Sequence, residues 1–284
     1  MTIDVALQIL DISIALLFVS VGLRVRLADA LLLLRNRELG LRSLLALYVF
    51  VPCCTFLVIW SFPLEPALRV SLLAMSVAPL CPVLVKAAID PETEGDYLFA
   101  LQIFAAVAAI VALPVMVAAT EYMFDFPTQY PVGKVAWFIL RQIGIPLAVG
   151  IVLSRLMGIW REKSALWLDR VGNTLLTAGV LMILYLVLPE VWGMMVNGRV
   201  LYIAAFTGIA ITGGYLFGGP QKGIKDNLIM ASVQRHPGIT YVIATTILPG
   251  EEGPIFAAVV IFAIVGTIAT IPYVVKSSKQ EASG

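Results

Sequence analysis

The feature that most constrains this chain is a series of apolar stretches, each long enough to cross a lipid bilayer. A helix needs about 20 predominantly apolar residues to span the hydrocarbon core. About nine stretches qualify, at roughly 5–23, 42–62, 67–88, 97–118, 134–157, 171–188, 199–218, 226–248 and 254–275. Pro and Gly punctuate the short connections between them, as at 62–66 and 249–254. A chain of this kind has one workable solvent, because only lipid allows helices to be apolar on every face.

Composition supports the same conclusion. Of 284 residues, 60% are hydrophobic and 13% charged, against about 45–50% and about 25% in soluble domains. The net charge of +1 gives no reason to expect a nucleic-acid partner. The partner it does imply is the bilayer. Cys53, Cys54 and Cys81 lie in apolar stretches without metal-ligand spacing, so neither a metal nor a cofactor is expected. The first residues lack a basic n-region and a cleavage site, so the first stretch reads as a retained span. There is no nucleophile elbow, zinc-protease motif or P-loop, which argues against an enzyme.

Loop charge sets the expected orientation. Arg24, Arg26, Arg35, Arg37 and Arg42 follow or flank the first loop, and Arg155, Arg161, Lys163 and Arg170 surround the fifth. Lys222 and Lys225 follow the seventh span, and Lys276 and Lys279 the ninth. The alternate loops carry few basic residues. The positive-inside rule then places the C-terminus in the cytoplasm and the N-terminus outside the plasma (inner) membrane.

Two spans contain interruptions. The third carries Ala78-Pro79-Leu80-Cys81-Pro82, where two prolines remove backbone donors and disfavour helix before them. The eighth carries Gln234-Arg235-His236-Pro237-Gly238, a polar run ending in a helix breaker. At about 1.5 Å per residue, Pro79 lies about 18 Å below the outer face and Gln234 about 12 Å above the inner one. In a core about 30 Å thick these depths coincide. Two broken helices of opposite direction imply an inverted repeat, the architecture of a secondary transporter. The whole chain, 1–284, then forms one membrane domain. Its halves run over about 5–118 and 171–275, with span 134–157 between them.

The residues around these breaks resemble the bile acid:sodium symporter family along nearly the whole chain. Phe18-Val19-Ser20-Val21-Gly22-Leu23 resembles that family's small-residue ending of an early helix. Arg35-Asn36-Arg37 with Val51-Pro52, the 78–83 stretch, Gly95-Asp96, and Ser232-Val233-Gln234 followed by Gly238 fall in the family's order. The resemblance implies an all-α membrane fold with two broken crossing helices in a core domain, beside a panel domain. It implies transport of small organic anions such as bile acids, coupled to two sodium ions.

The sodium ligands are where the sequence departs from that family. The family's oxygen-bearing positions fall here on Leu47, Leu84, Val85, Phe104, Val107, Ala108 and Met230, while the Gly-Gly of its first break becomes Leu80-Cys81. Arg235 stands where the family has an asparagine. Gln234 alone keeps an oxygen of the expected kind. Sodium coupling is therefore doubtful, and a proton remains open as the coupling ion.

An ionisable residue inside a span costs roughly 2.5–3.5 kcal/mol on insertion scales, so each is a candidate. Arg235 reads equally as a substrate anchor or as a plug for the carbonyls of a broken helix. His236, the only histidine, reads as a proton relay or, more simply, as a cap for loose backbone. Lys86 is either a helper cation or a snorkelling side chain. Asp11 is a candidate counter-charge to Lys86 or Arg235, or else it reaches outer water. The expected crossover site is thus Pro79, Cys81, Pro82, Lys86, Gln234, Arg235, His236 and Pro237. The function expected is transport of a small organic anion. An arsenite-type efflux permease and a non-transporting membrane sensor are the alternatives.

Overall fold

The computed structural model describes residues 3–24, 32–81, 94–124, 133, 137 and 140–281. The described residues are almost entirely helical. Helix α1 spans Ile3–Arg24. After the short α2 (Leu32–Arg35), α3 (Arg37–Leu44) runs through a π-helical turn (Leu45–Phe50) into α4 (Val51–Ser61). Helix α5 is Pro66–Val77 and α6 is Glu94–Phe124. A second π turn (Leu140–Gly144) leads into α7 (Ile145–Leu156). Then come α8 (Arg161–Leu186), α9 (Leu188–Val196), α10 (Val200–Phe217), α11 (Lys222–Val233), α12 (Pro237–Ile247) and α13 (Glu252–Glu281).

Proline placement explains many of the starts. Pro66, Pro189 and Pro237 each stand in a first helical turn, where a missing N–H leaves no intrahelical bond unmade. Hydroxyls in the apolar helices fold back onto their own carbonyls, as Thr55 does on Val51 and Ser71 on Ala67. Such bonding keeps the polar group satisfied without water.

By length and composition, four of the described helices can cross a membrane alone, and a fifth if α8 and α9 count as one bent span. The chain is an integral membrane protein. Several boundaries differ from the sequence expectation, and the two ends of α8 show why. Helix α8 begins at Arg161, ten residues before the apolar stretch, because its first turns are amphipathic and pack on α1. It ends at Leu186, and at Val187 the chain bends by 69° into α9, a short helix in the stretch that the apolar count leaves as a connection between spans. The expected segments 82–88 and most of 134–139 lie outside the described residues.

The helices pack in two groups. Helix α1 lies along α7 and α8. The contact is close because Gly22 and Gly150 face each other, and a Cβ on Gly150 would stand 2.3 Å from the Val19 carbonyl oxygen. Small residues at a helix crossing let backbones approach where no hydrophobic force separates helix from lipid. The Arg24 guanidinium donates to Asp169 at 2.7 Å, and Ser20 donates to the Ala165 carbonyl at 2.9 Å, tying α1 to α8. The second group holds α5, α10, α11, α12 and α13 with the α3–α4 helix.

Gly150→Val should therefore destabilise the α1–α7 pair by about 1–3 kcal/mol or more, as overpacking does. Gly208→Ala, where nothing lies within 4 Å of an added Cβ, should leave the thermal midpoint of purified protein unchanged. Equal midpoints for the two variants would contradict this packing.

Candidate functional site at the helix crossover

The two interruptions meet. Helix α5 stops at Val77, and Ala78 is extended (ψ 146°). Helix α11 stops at Val233 and α12 starts at Pro237, so the second break is three residues long and Pro237-Gly238 are already helical. The expected 234–238 interruption is thus shorter than the sequence suggested, because proline is suited to the first position of a new helix. Leu80 and Arg235 pair as an isolated antiparallel bridge. The Cys81 N–H donates to the Gln234 carbonyl at 3.0 Å, and the His236 N–H to the Pro79 carbonyl at 2.8 Å. Each break thus satisfies the other's backbone.

Arg235 sits at the centre and is 2% exposed. Its Nε donates to the Ser232 carbonyl (3.1 Å), Nη1 to the Ala78 carbonyl (2.9 Å) and Nη2 to the Leu47 carbonyl (3.0 Å). Each acceptor is orphaned for a definite reason. The N–H that would serve Ser232 within a helix belongs to His236, which bonds across to Pro79 instead. Ala78 has left α5. Leu47 lies in a π turn in which Val51 N–H reaches Ala46, and the residue after it, Pro52, has no N–H. The Tyr48 ring lies 5.8 Å from the guanidinium carbon, and its hydroxyl donates to the Ala105 carbonyl at 2.6 Å.

The plug reading of Arg235 is therefore what the contacts match, and its nitrogens are occupied by carbonyls. Asp11 is not its counter-charge. Asp11 accepts from Gln142 Nε2 at 2.8 Å, beside Arg141, in the other helix group. His236 is fully buried. Its Nδ1 accepts from the Ile239 N–H at 3.4 Å and so caps α12, and its ring stacks on Phe18 of α1 at 5.9 Å. Its Nε2 has no hydrogen-bond partner among the described residues. Gln234 Nε2 donates to Thr270 of α13 at 2.9 Å. Pro82 and Lys86 lie outside the described residues, as do Leu84 and Val85.

The positions that depart from the family's ligands mostly gather around Arg235. Leu47, Leu80 and Met230 are buried in one apolar cluster with Leu101 and Ala105, and Phe104 packs against it. Val107 is 55% exposed and belongs to neither apolar cluster. Two residues escaped the sequence reading. Gln102 and Asn227 are buried, and among the described residues both amide atoms of Gln102 and Nδ2 of Asn227 lack partners. Gln102, an isolated polar residue in an apolar run, carried a signal; Asn227, directly after Lys225 and Asp226, did not. An apolar cavity of about 400 Å³ begins beside the crossover at Pro237 and Gly238 and extends between α1, α8 and α13, lined by Leu10, Leu184, Phe256 and Val260 among others.

Interrupted helices joined backbone to backbone inside an apolar protein define a membrane transporter fold. The chain belongs to the sodium bile acid symporter family, whose pattern it matches over residues 11–194. It is a membrane transporter of that kind, and the match includes the first break and stops short of the second. Among curated proteins, none matches the chain significantly.

Replacing Arg235 with Met removes three donors from three buried carbonyls. At about 1–3 kcal/mol for each orphaned group, the loss of stability should reach about 3 kcal/mol or more. Arg235→Lys, a point charge without the planar fork, should recover only part. A thermal melt of both variants checks this, and an unchanged Met variant would show the bonds to be idle.

Proposed function

We propose that this protein carries a small organic anion across the plasma (inner) membrane without obligatory sodium coupling, as a uniporter, exchanger or proton-coupled carrier. The observation that carries the reading is the Arg235 guanidinium, which fills the crossover with a tethered cation. Carbonyls at the C-terminal ends of helices are partly negative. A bound cation offsets that charge in a sodium-coupled relative, and here the side chain does so. The loss of oxygen donors at Leu47 and Met230 supports the same reading, since Na⁺ needs oxygen ligands and these side chains bury hydrocarbon instead.

On this reading the apolar cavity beside Pro237 and Gly238 receives the substrate's hydrocarbon body. In the first turn of α12, where Pro237 has no N–H and His236 takes those of Ile239 and Thr240, the Gly238 N–H faces the substrate's anionic end. The finer architecture proposed is nine spans with an inverted repeat, N-terminus outside and C-terminus in the cytoplasm. Loop charge and the paired breaks support it. The helix grouping supports a core of α3–α6 and α10–α13 beside a panel of α1, α7 and α8.

Uptake of radiolabelled carboxylates into proteoliposomes tests the coupling. Replacing Na⁺ with choline should leave the rate unchanged. A rate that collapses and recovers steeply with added Na⁺ would overturn the proposal. Binding without flux under every imposed gradient would favour the sensor reading, and arsenite tolerance lost on Cys81→Ser the permease reading. Ala263→Phe, which fills the cavity, should weaken substrate affinity at least about tenfold, roughly 1.4 kcal/mol, with little change in thermal midpoint.

A further inference from the structure

A second cleft lies away from the crossover, at one end of the group formed by α1, α7 and α8. Helices α7 and α8 both lie along α1, and the short turn Gly158–Trp160 joins them. Between them opens a cleft of about 460 Å³, with Leu23 of α1, Leu153 of α7, and Trp160, Lys163, Trp167 and Leu168 among its walls. Its charge is one-sided. Lys163 lines it, and Arg155 and Arg161 stand within two residues of lining side chains. The nearby acidic residues, Glu162 and Asp169, both pair with Arg24, at 3.3 and 2.7 Å. Among the described residues Arg155, Arg161 and Lys163 close no ion pair. Lys163 Nζ lies 5.6 Å from the centre of the Trp160 ring, a contact that keeps the ammonium beside the turn.

The cleft changes character along the helices. Lys163 and Trp160 stand at the turn, and the walls farther from it are apolar. Leu153, Val149 and Ile145 are spaced four apart and so form one ridge of α7, leading from the cleft away from the turn, with Val149 and Ile145 exposed. From Leu153 to Ile145 the ridge covers about 12 Å, most of one leaflet's share of a hydrocarbon core about 30 Å thick. Trp160 and Trp167 are exposed, as rings at a membrane–water boundary are.

The geometry points to a binding site for an anionic phospholipid of the leaflet at this end, the cytoplasmic one on the orientation proposed above. Its phosphate meets the Lys163 ammonium in a charge-assisted contact, and Arg155 and Arg161 add positive potential beside it. One acyl chain enters between Leu153 and Leu168 and continues along the α7 ridge. The occupant is anionic because the acidic side chains nearby are taken up by Arg24, which leaves the cleft with cations alone. It is a lipid because the hydrocarbon walls lead on from the cation into the membrane, in the order headgroup then chain. Basic side chains at the end of a spanning helix are the usual partners of anionic headgroups.

The test is thermal stabilisation of the detergent-purified chain by lipids of matched acyl chains. Phosphatidylglycerol should stabilise at lower concentration than phosphatidylethanolamine or phosphatidylcholine, which are zwitterionic. Lys163→Gln should raise its half-saturating concentration about fivefold. Lys222→Gln, which removes an exposed lysine of the other helix group, should leave that concentration unchanged. Leu153→Trp, which fills the cleft, should abolish the preference for phosphatidylglycerol. Should that variant fail to fold, the two lysine variants decide. Equal responses of the parent protein to all three lipids would overturn the proposal. So would equal effects of the two lysine variants, the sign of diffuse surface charge, or a preference that survives Leu153→Trp. Saturation by soluble glycerol 3-phosphate in the same concentration range would overturn it as well, because the chains would then contribute nothing.

Discussion

The centre of this protein depends on one guanidinium and three carbonyl oxygens. Two helices are broken where no water reaches, and a buried backbone group without a partner costs about 1–3 kcal/mol. The breaks satisfy part of the demand between themselves, through the Cys81–Gln234 and His236–Pro79 bonds. The oxygens of Ser232, Ala78 and Leu47 are left over and come from three separate segments. Arg235 reaches all three. Inserting an arginine costs roughly 2.5–3.5 kcal/mol, and three orphaned carbonyls would cost about 3–9 kcal/mol. The charged residue is therefore the favourable choice at this position, and the dipoles around it compensate its charge.

That centre belongs wholly to one helix group. Tyr48 to Ala105 and Gln234 to Thr270 bind the same group further. In the other, Arg24 to Asp169, Ser20 to Ala165 and Gln142 to Asp11 join α1 to its neighbours. These polar bonds tie helices inside a group. Across the seam the described contacts are apolar and ring to ring, as Ile14 meets Gly238 and Phe18 stacks on His236. Dispersion contacts are individually weak and not directional, so a seam of this kind resists sliding less than a hydrogen-bonded one. Polar bonds thus hold each group together, and apolar contacts hold the two groups to one another.

Much of this was legible in the sequence, for definite reasons. Pro79 and Pro237 fix the breaks because proline cannot donate, and the mid-span position of both predicted their meeting. The polar run around Arg235 marked the second break. What the sequence did not disclose was direction. Asp11 could not be assigned to Gln142 rather than Arg235, because the pairing joins segments 131 residues apart. For Arg235 the plug for loose carbonyls was one of two equal readings, and the sequence neither chose between them nor disclosed the third acceptor. One acceptor, Leu47, is orphaned by a π turn and Pro52, a consequence of three-dimensional packing. The sixth span was expected to end at 188, where the chain does bend, but the helix after it, Leu188–Val196, was not foreseen, because nine residues are too few to count as a span.

The nature of the central cation bears on the transport cycle. A sodium ion can enter and leave, and its departure changes the charge at the crossover. A cation on the chain cannot leave. If Arg235 stands in for sodium, the crossover remains neutralised whichever way the site faces, and both orientations keep the same central bonds. The free-energy difference between inward- and outward-facing states then cannot come from loading the crossover. It must come from what occupies the seam, where the cavity beside Pro237 and Gly238 meets α1 and α8. A ligand shifts a two-state equilibrium only through its differential affinity for the states. The substrate, or a second ligand bound with it at the seam, then sets the balance between the two orientations, and the gradients of what is carried set the direction of flow.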